Sequence, residues 1–141
     1  MVNSNTGQLS AFPQQPRSNQ RFAQQLPPHD ISAEEAVVAA ILLDETALVK
    51  VSAILQSDDF FDVSCKAAFE ASLLLEERGE QITATTVGHE LERLGLLDTV
   101  GGEKFLAEVI SKHFTAEGVE AHARIVRRDG LYRQAIEGFN L

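Results

Sequence analysis

The lysines, histidines and single cysteine are the residues that could do chemistry, and the lysines lack the pattern that nucleotide hydrolysis requires. A P-loop needs Gly-x-x-x-x-Gly-Lys-Ser/Thr, in which glycines bring backbone N–H groups around the phosphates and the lysine reaches the outer ones. Gly101-Gly102-Glu103-Lys104 comes nearest, but it places an acid where a phosphate would lie. None of the four lysines follows a glycine: Lys50, Lys66, Lys104 and Lys112. We therefore expect no catalytic and no cofactor-binding residue in this chain.

The histidines do not have the spacing that a metal-binding motif requires. His89-Glu90 begins like the zinc-protease motif His-Glu-x-x-His, but position 93 is Arg93. The other histidines have no cysteine or paired carboxylate at ligand spacing; they are His29, His113 and His122. Cys65 falls on the predicted buried side of its helix, where a small apolar role is usual. The sequence thus predicts no metal site and no activated thiol.

The last helix carries the one basic cluster with an aromatic residue among its charges. Two interpretations stay open: a solvated helix face whose charges suit a C-terminal end, or a docking surface, because arginine and tyrosine anchor protein interfaces. Arg124 lies one turn from both Arg128 and Glu120, so part of the cluster fits intrahelical pairing. The candidate protein-interaction residues are Arg124, Arg127, Arg128, Tyr132 and Arg133.

A helix-turn-helix interpretation of residues 82–94 is weaker. Its recognition face would carry Glu90 and Glu92 with only Arg93 to balance them, so acids would meet phosphates. A core helix with a polar outer face is favoured, and a DNA-binding protein is kept as the third hypothesis.

Charge and composition exclude several classes of protein. The net charge is −9, yet residues 1–26 contain Arg17, Arg21 and no acid, so residues 27–141 hold all 21 acids. Such a surface predicts no strong direct binding to DNA. The longest apolar run, residues 36–43, is far below the roughly 20 residues of a membrane span. The first residues lack the pattern of a secretory signal, and one cysteine fits a reducing compartment, so a cytoplasmic location is expected with no membrane partner.

The elements that must position these residues are helices. Ser32 with Glu35 predicts a capping box that opens the first helix, and Asp44 follows its end. Later helices are predicted after Phe60-Phe61-Asp62, at Thr83, after Gly101-Gly102 and from about Thr115, with Gly79 and Gly95 as left-handed caps. No period-two pattern is long enough for a strand. The fold class is all-α, a compact bundle of about six helices.

Composition divides residues 1–115 into two regions. Residues 1–26 are predicted to be a disordered Gln/Pro/Ser-rich tail, because they have few large apolar side chains to bury. Residues 27–115 form the globular helical domain. Gly130 costs the last helix about 1 kcal/mol relative to alanine, which makes that helix dependent on a partner surface. The predicted core residues are Phe60, Phe61, Phe69, Leu73, Leu91, Leu94, Phe105 and Leu106.

Taken together, segments spread from Leu26 to Arg133 resemble the N-terminal domain of the bacterial replicative DNA helicase, the DnaB family. The resemblance lies in their order and spacing as much as in any one motif. The segments are Leu26-Pro27-Pro28-His29-Asp30-Ile31-Ser32-Ala33-Glu34-Glu35-Ala36-Val37, Ala40-Ile41-Leu42-Leu43-Asp44, Asp59-Phe60-Phe61, Phe69-Glu70-Ala71, Glu90-Leu91-Glu92-Arg93-Leu94-Gly95-Leu96-Leu97, Val100-Gly101-Gly102, Phe105-Leu106 and Val119-Glu120-Ala121-His122-Ala123-Arg124-Ile125-Val126-Arg127.

The resemblance implies a function without catalysis in this chain. It implies a collar domain that self-associates as a dimer, and as a hexameric collar in the full-length protein, and that docks the helicase-binding domain of primase. Residues 116–141 would then be the first arm of a helical hairpin and the start of a linker to a motor domain. The parent protein would be an ATP-dependent DNA helicase, with ATP and magnesium expected only in that motor. The alternative is a stand-alone helical adaptor or regulator of the helicase–primase complex.

Overall fold

In the computed structural model, which describes residues 26–139, every regular element is helical. The all-α prediction is therefore confirmed for this part of the chain, whereas the predicted disordered tail lies almost entirely outside it. A 3-10 turn, Ser57–Asp59, lies between the second and third helices. The helices are α1 (Ile31–Leu43), α2 (Ala47–Ser52), α3 (Val63–Glu77), α4 (Ala84–Arg93), α5 (Leu97–Val100), α6 (Glu103–Lys112) and α7 (Val119–Phe139).

The first helix begins differently from the prediction. Asp30 is its N-cap and accepts a 3.0 Å hydrogen bond from the backbone N–H of Ala33, so the capping box predicted at Ser32 and Glu35 is wrong. The extended lead-in that ends in Pro27-Pro28 delivers Asp30 in the extended backbone that a cap needs. Ser32 is already inside the helix and exposed.

Other helix ends follow their local signals. Asp62 caps α3 by accepting from the N–H of Cys65 at 2.9 Å, and Thr83 caps α4 by accepting from Thr86. Gly79 and Gly95 both take φ +73° directly after helices, as predicted. The last helix begins at Val119 and not near Thr115, because Gly118 at φ +76° interrupts the chain just before it.

The core is built around α1, which packs against α2, α3, α6 and α7. Phe60 and Phe69 are buried with ring centroids 5.0 Å apart. Two core predictions are wrong: Phe61 is 39% exposed and Leu94 is 38% exposed. Leu94 is the C-cap residue that follows α4, where the chain leaves the buried face.

Candidate protein-docking surface

The predicted basic cluster lies on helix α7, and one face of this helix is part of the core. Val119, Ala123 and Val126 are buried at three- and four-residue spacing, and α7 packs against α1, α2 and the 3-10 turn. Because 3.6 residues make a turn, neighbouring arginines on this helix must point in different directions. The five candidate residues therefore divide into two groups.

Arg127 lies inward. Its Nη1 donates to both carboxylate oxygens of Asp59, at 2.9 and 3.1 Å, and the Asp59 side chain is fully buried. Asp59 also accepts from the backbone N–H of Gln56 at 2.8 Å. A buried carboxylate requires such partners, so the contacts of Arg127 stabilise the fold.

Arg133 lies inward as well. Its guanidinium donates to the carbonyl oxygen of Pro28 at 2.8 Å and to that of Asp59 at 2.6 Å. The same group lies over the ring of Phe61, 5.5 Å from the centroid. His29 stacks on Phe61 with centroids 4.1 Å apart, which explains why that aromatic ring lies at the surface and not in the core.

Gly130 lies where α7 approaches Asp59 closely. A Cβ built there would be 2.7 Å from Oδ1 and 2.9 Å from the Cα of Asp59. Sequence reasoning interpreted Gly130 only as a weak point of the helix. The structure gives it a packing reason: no larger residue fits between the helix and the backbone of Asp59.

Glu34 holds the loop that precedes α3. Its buried carboxylate accepts from the backbone N–H groups of Phe61 and Asp62, each at 2.9 Å. Burial raises the pKa of Glu34, while the two N–H donors and nearby Arg133 act in the opposite direction. Sequence reasoning missed this residue, because an acid near the start of a helix is already explained by its favourable interaction with the helix dipole.

The remaining candidates face solvent. Arg128 and Tyr132 are 59% and 56% exposed, and Arg124 is exposed one turn before Arg128. Leu131 and Ile136 lie on the solvent side of the same helix and are also exposed; sequence reasoning missed both. The pairs Arg124/Arg128 and Tyr132/Ile136, each four residues apart, were the available signal. We call this surface the outer face of α7: Arg124, Arg128, Leu131, Tyr132 and Ile136.

Between residues 26 and 139, no three His, Cys, Asp or Glu side chains lie close enough together to hold a metal ion. Cys65 is fully buried, and burial raises the pKa of its thiol well above the usual range. Over the same residues, no helix is both long and apolar enough to cross a membrane.

One residue that the helix-turn-helix interpretation assigned to the recognition face is not at the surface. Glu90 is buried, not exposed, and its carboxylate accepts from Arg78 and Arg93. Only Glu92 of the two acids faces solvent. Helix α4 is thus attached to the end of α3 through Glu90.

Comparison with known proteins places the chain in a family. Residues 26–128 match the family model described as the DnaB-like helicase N terminal domain. The chain belongs to this family. Over 111 residues, the DnaB-family domain is 39% identical to the replicative DNA helicase DnaC of Bacillus subtilis (strain 168), covering 79% of this chain and 24% of the relative. Over 115 residues it is 38% identical to the replicative DNA helicase DnaB of Geobacillus stearothermophilus, covering 82% and 25%.

A solved structure has the same fold. The crystal structure of the N-terminal domain of DnaB helicase from Mycobacterium tuberculosis matches with a TM-score of 0.79 and 36% identity, covering 82% of this chain and 80% of that one. The DnaB-family domain described here therefore spans about a quarter of the two curated relatives, but most of a separately solved N-terminal domain.

Proposed function

We propose that this chain is the non-catalytic N-terminal collar domain of a replicative DNA helicase, where it mediates oligomerisation and docks primase. The outer face of α7 is the observation that carries the proposal. It presents arginine, tyrosine and aliphatic side chains to solvent on a helix whose opposite face is in the core. Aliphatic and aromatic side chains exposed side by side favour a protein partner over a merely solvated face.

The two parts of the outer face suit two partners. Leu131, Tyr132 and Ile136 lie on the second half of α7 and are apolar enough to pair with the same patch of a second copy, as in two-fold symmetric dimers. Arg124 and Arg128 lie on the first half and suit acidic groups of the helicase-binding domain of primase. The acidic composition of the chain disfavours DNA as the partner.

The chemistry of the parent protein belongs elsewhere in this proposal. The two curated relatives are about four times as long as the matched region, and their printed names describe replicative helicases. We place ATP and magnesium binding in a motor domain of a longer chain. The collar would influence that motor through contacts and not through catalysis.

Two pairs of substitutions test the proposal. Leu131→Glu with Ile136→Glu should weaken self-association by about tenfold or more in sedimentation velocity, because two charges enter an apolar contact. Arg124→Glu with Arg128→Glu should weaken calorimetric binding of the primase helicase-binding domain by about tenfold or more. Val63→Glu is the matched control, since Val63 is an exposed aliphatic residue on α3, a helix other than α1 and α2, against which α7 packs.

Opposite outcomes would separate the hypotheses. Unchanged self-association and unchanged primase binding in both pairs, with the control equal to wild type, would contradict the docking role of the outer face. Salt-dependent retention of the unchanged protein on duplex DNA would favour the DNA-binding hypothesis instead.

A further inference from the structure

The middle of α7 contacts the body of the domain through a small set of residues, which we call the α7 clasp: Asp59, Arg127, Gly130, Arg133 and the carbonyl of Pro28. These contacts join three segments that are far apart in sequence: the lead-in to α1, the 3-10 turn before α3, and α7 itself. Beyond the clasp, residues 134–138 are exposed. In the described part of the chain, therefore, no packing beyond the clasp directs the end of α7.

We propose that Asp59, Gly130 and Arg133 are positioning residues that fix the direction in which α7 leaves the domain, and thereby the orientation of the part of its outer face that follows Gly130: Leu131, Tyr132 and Ile136. The direction itself is a property of this chain alone. Its consequence for pairing through Leu131, Tyr132 and Ile136 rests on the proposed function.

Gly130 supplies the first fixed point. A Cβ at this position would lie 2.9 Å from the Cα of Asp59, whereas ordinary contacts begin at 3.4 Å. The obstructing atom is backbone, so it cannot rotate away as the end of a long side chain does. The absence of a side chain lets the helix rest directly on the 3-10 turn.

Asp59 is itself held rigidly. Its carboxylate accepts from the N–H of Gln56 and from Arg127, and its own N–H donates to the Gln56 carbonyl at 3.0 Å. The residue is fully buried. Because Asp59 is held in place, its close contact with Gly130 fixes where α7 lies.

Arg133 supplies the second fixed point, about 4.5 Å further along the helix axis. Its two carbonyl contacts, at 2.8 Å to Pro28 and 2.6 Å to Asp59, tie this point of the helix to two segments that are distant in sequence. A single contact would leave the helix free to pivot about that point. Two contacts along one axis set a direction, which the remaining turns then follow.

Distance measurement by pulsed electron paramagnetic resonance tests the direction. Spin labels on Glu76→Cys in α3 and Glu137→Cys in α7 report the far end of the helix, since both positions are exposed. Labels on Glu76→Cys and Glu120→Cys report its first turn. Buried Cys65 takes no label, and an excess of unlabelled protein removes distances between copies. The stretch from Gly130 to Glu137 is a lever of about 10 Å, so a tilt of about 20° moves the end label by about 3 Å.

Two variants disturb the clasp, and one matched variant does not. Gly130→Ala and Arg133→Ala should shift or broaden the 76–137 distribution by about 3 Å or more, while the 76–120 distribution stays unchanged. Gly138→Ala makes the same chemical change in the same helix, where a Cβ meets nothing within 4 Å, and should leave both distributions unchanged. Arg133→Lys, which can still donate to one carbonyl, should give an intermediate width.

The contrary results are equally definite. A 76–137 distribution equal to wild type in both Gly130→Ala and Arg133→Ala would overturn the proposal. A parallel change in the 76–120 distribution would also overturn it, because it would mean that the whole helix detaches. If Gly130→Ala fails to fold, the Arg133 variants decide the question. If the distances change while sedimentation shows that the unchanged protein never self-associates and calorimetry shows that it never binds primase, the positioning role stands and the proposed function fails.

Discussion

The Glu90 carboxylate on α4 accepts a 2.6 Å hydrogen bond from Nη2 of Arg78, the C-cap residue that follows α3. Arg93, three residues later on α4, donates to the other carboxylate oxygen at 2.5 Å. One buried acid therefore receives two guanidinium groups and joins two consecutive helices. Charge-assisted bonds of this kind are roughly twice as strong as neutral ones.

This arrangement predicts acid sensitivity. The hydrogen bonds from Arg93 and Arg78 lower the pKa of Glu90 from 4.5 to about 2. Because the folded pKa lies below the unfolded one, the stabilising contribution is complete above pH 4.5 and is lost as pH falls toward 2. In Glu90→Gln, the free energy of unfolding from urea titrations should be lower than wild type at pH 7, and the difference should shrink between these pH values. Glu92→Gln, at an exposed neighbour, is the control; a pH dependence in Glu90→Gln identical to wild type would contradict the assignment.

A second buried acid, Glu34, predicts a different effect. In Glu34→Gln the side chain keeps its shape, but one of its two terminal groups becomes a donor that faces a backbone N–H of Phe61 or Asp62. An unsatisfied buried donor costs about 1–3 kcal/mol, and urea unfolding should show a loss of that size. Glu35→Gln, next in sequence but only half-buried, should lose less. Equal losses in the two variants would mean that the loop before α3 does not depend on the Glu34 carboxylate.

Local signals explain which parts of the fold could be predicted. Asp62 and Thr83 cap helices through N–H groups three residues away, and Gly79 supplies a left-handed residue at the end of its own helix. Each of these outcomes depends on neighbours along the chain. The positions of the helices followed from such residues, while Asp30 was missed as a cap because Ser32 offered a competing pattern nearby.

Long-range contacts explain the remainder. Asp59 and Arg127 are 68 residues apart in sequence, so nothing near Arg127 indicates that its charge is used inside the domain. Gly130 also packs against Asp59, which is far away in sequence, so its neighbours along the chain do not indicate why a glycine is needed there. A cluster of arginines on one helix predicts its charge but not which members face inward, and the candidate surface therefore divides only in the folded chain.

Phe69 and Leu94 are both predicted core residues, but only Phe69 is buried, and this difference gives a stability test. Phe69 is 1% exposed and packs on Phe60, whereas Leu94 is 38% exposed at the end of α4. Phe69→Ala should lower the free energy of unfolding by about 3–5 kcal/mol, because it leaves a cavity. Leu94→Ala should cost under about 1 kcal/mol. Urea titrations at neutral pH measure both, and a comparable loss in Leu94→Ala would place its side chain in the core after all.

Arg127 and Arg128 are adjacent in sequence and should separate stability from docking. Arg127→Ala leaves the buried Asp59 carboxylate with the Gln56 N–H but without its cation. Removing one member of a buried pair costs about 3–5 kcal/mol; since Arg127 is itself 35% exposed, we expect a smaller loss, about 1–3 kcal/mol. Arg128→Ala should change the free energy of unfolding by no more than about 0.5 kcal/mol, because its side chain is mostly in solvent.

The binding measurement should show the reverse order for the same two variants. Arg128 belongs to the outer face of α7, so Arg128→Ala should weaken binding of the primase helicase-binding domain while the fold keeps its stability. Arg127→Ala, assayed by calorimetry at a temperature where urea titration shows it fully folded, should bind within about twofold of wild type, since its guanidinium is occupied by Asp59. A loss of binding confined to Arg127→Ala would mean that the docking surface includes the inward side of α7, and that partner binding competes with the Asp59 contact.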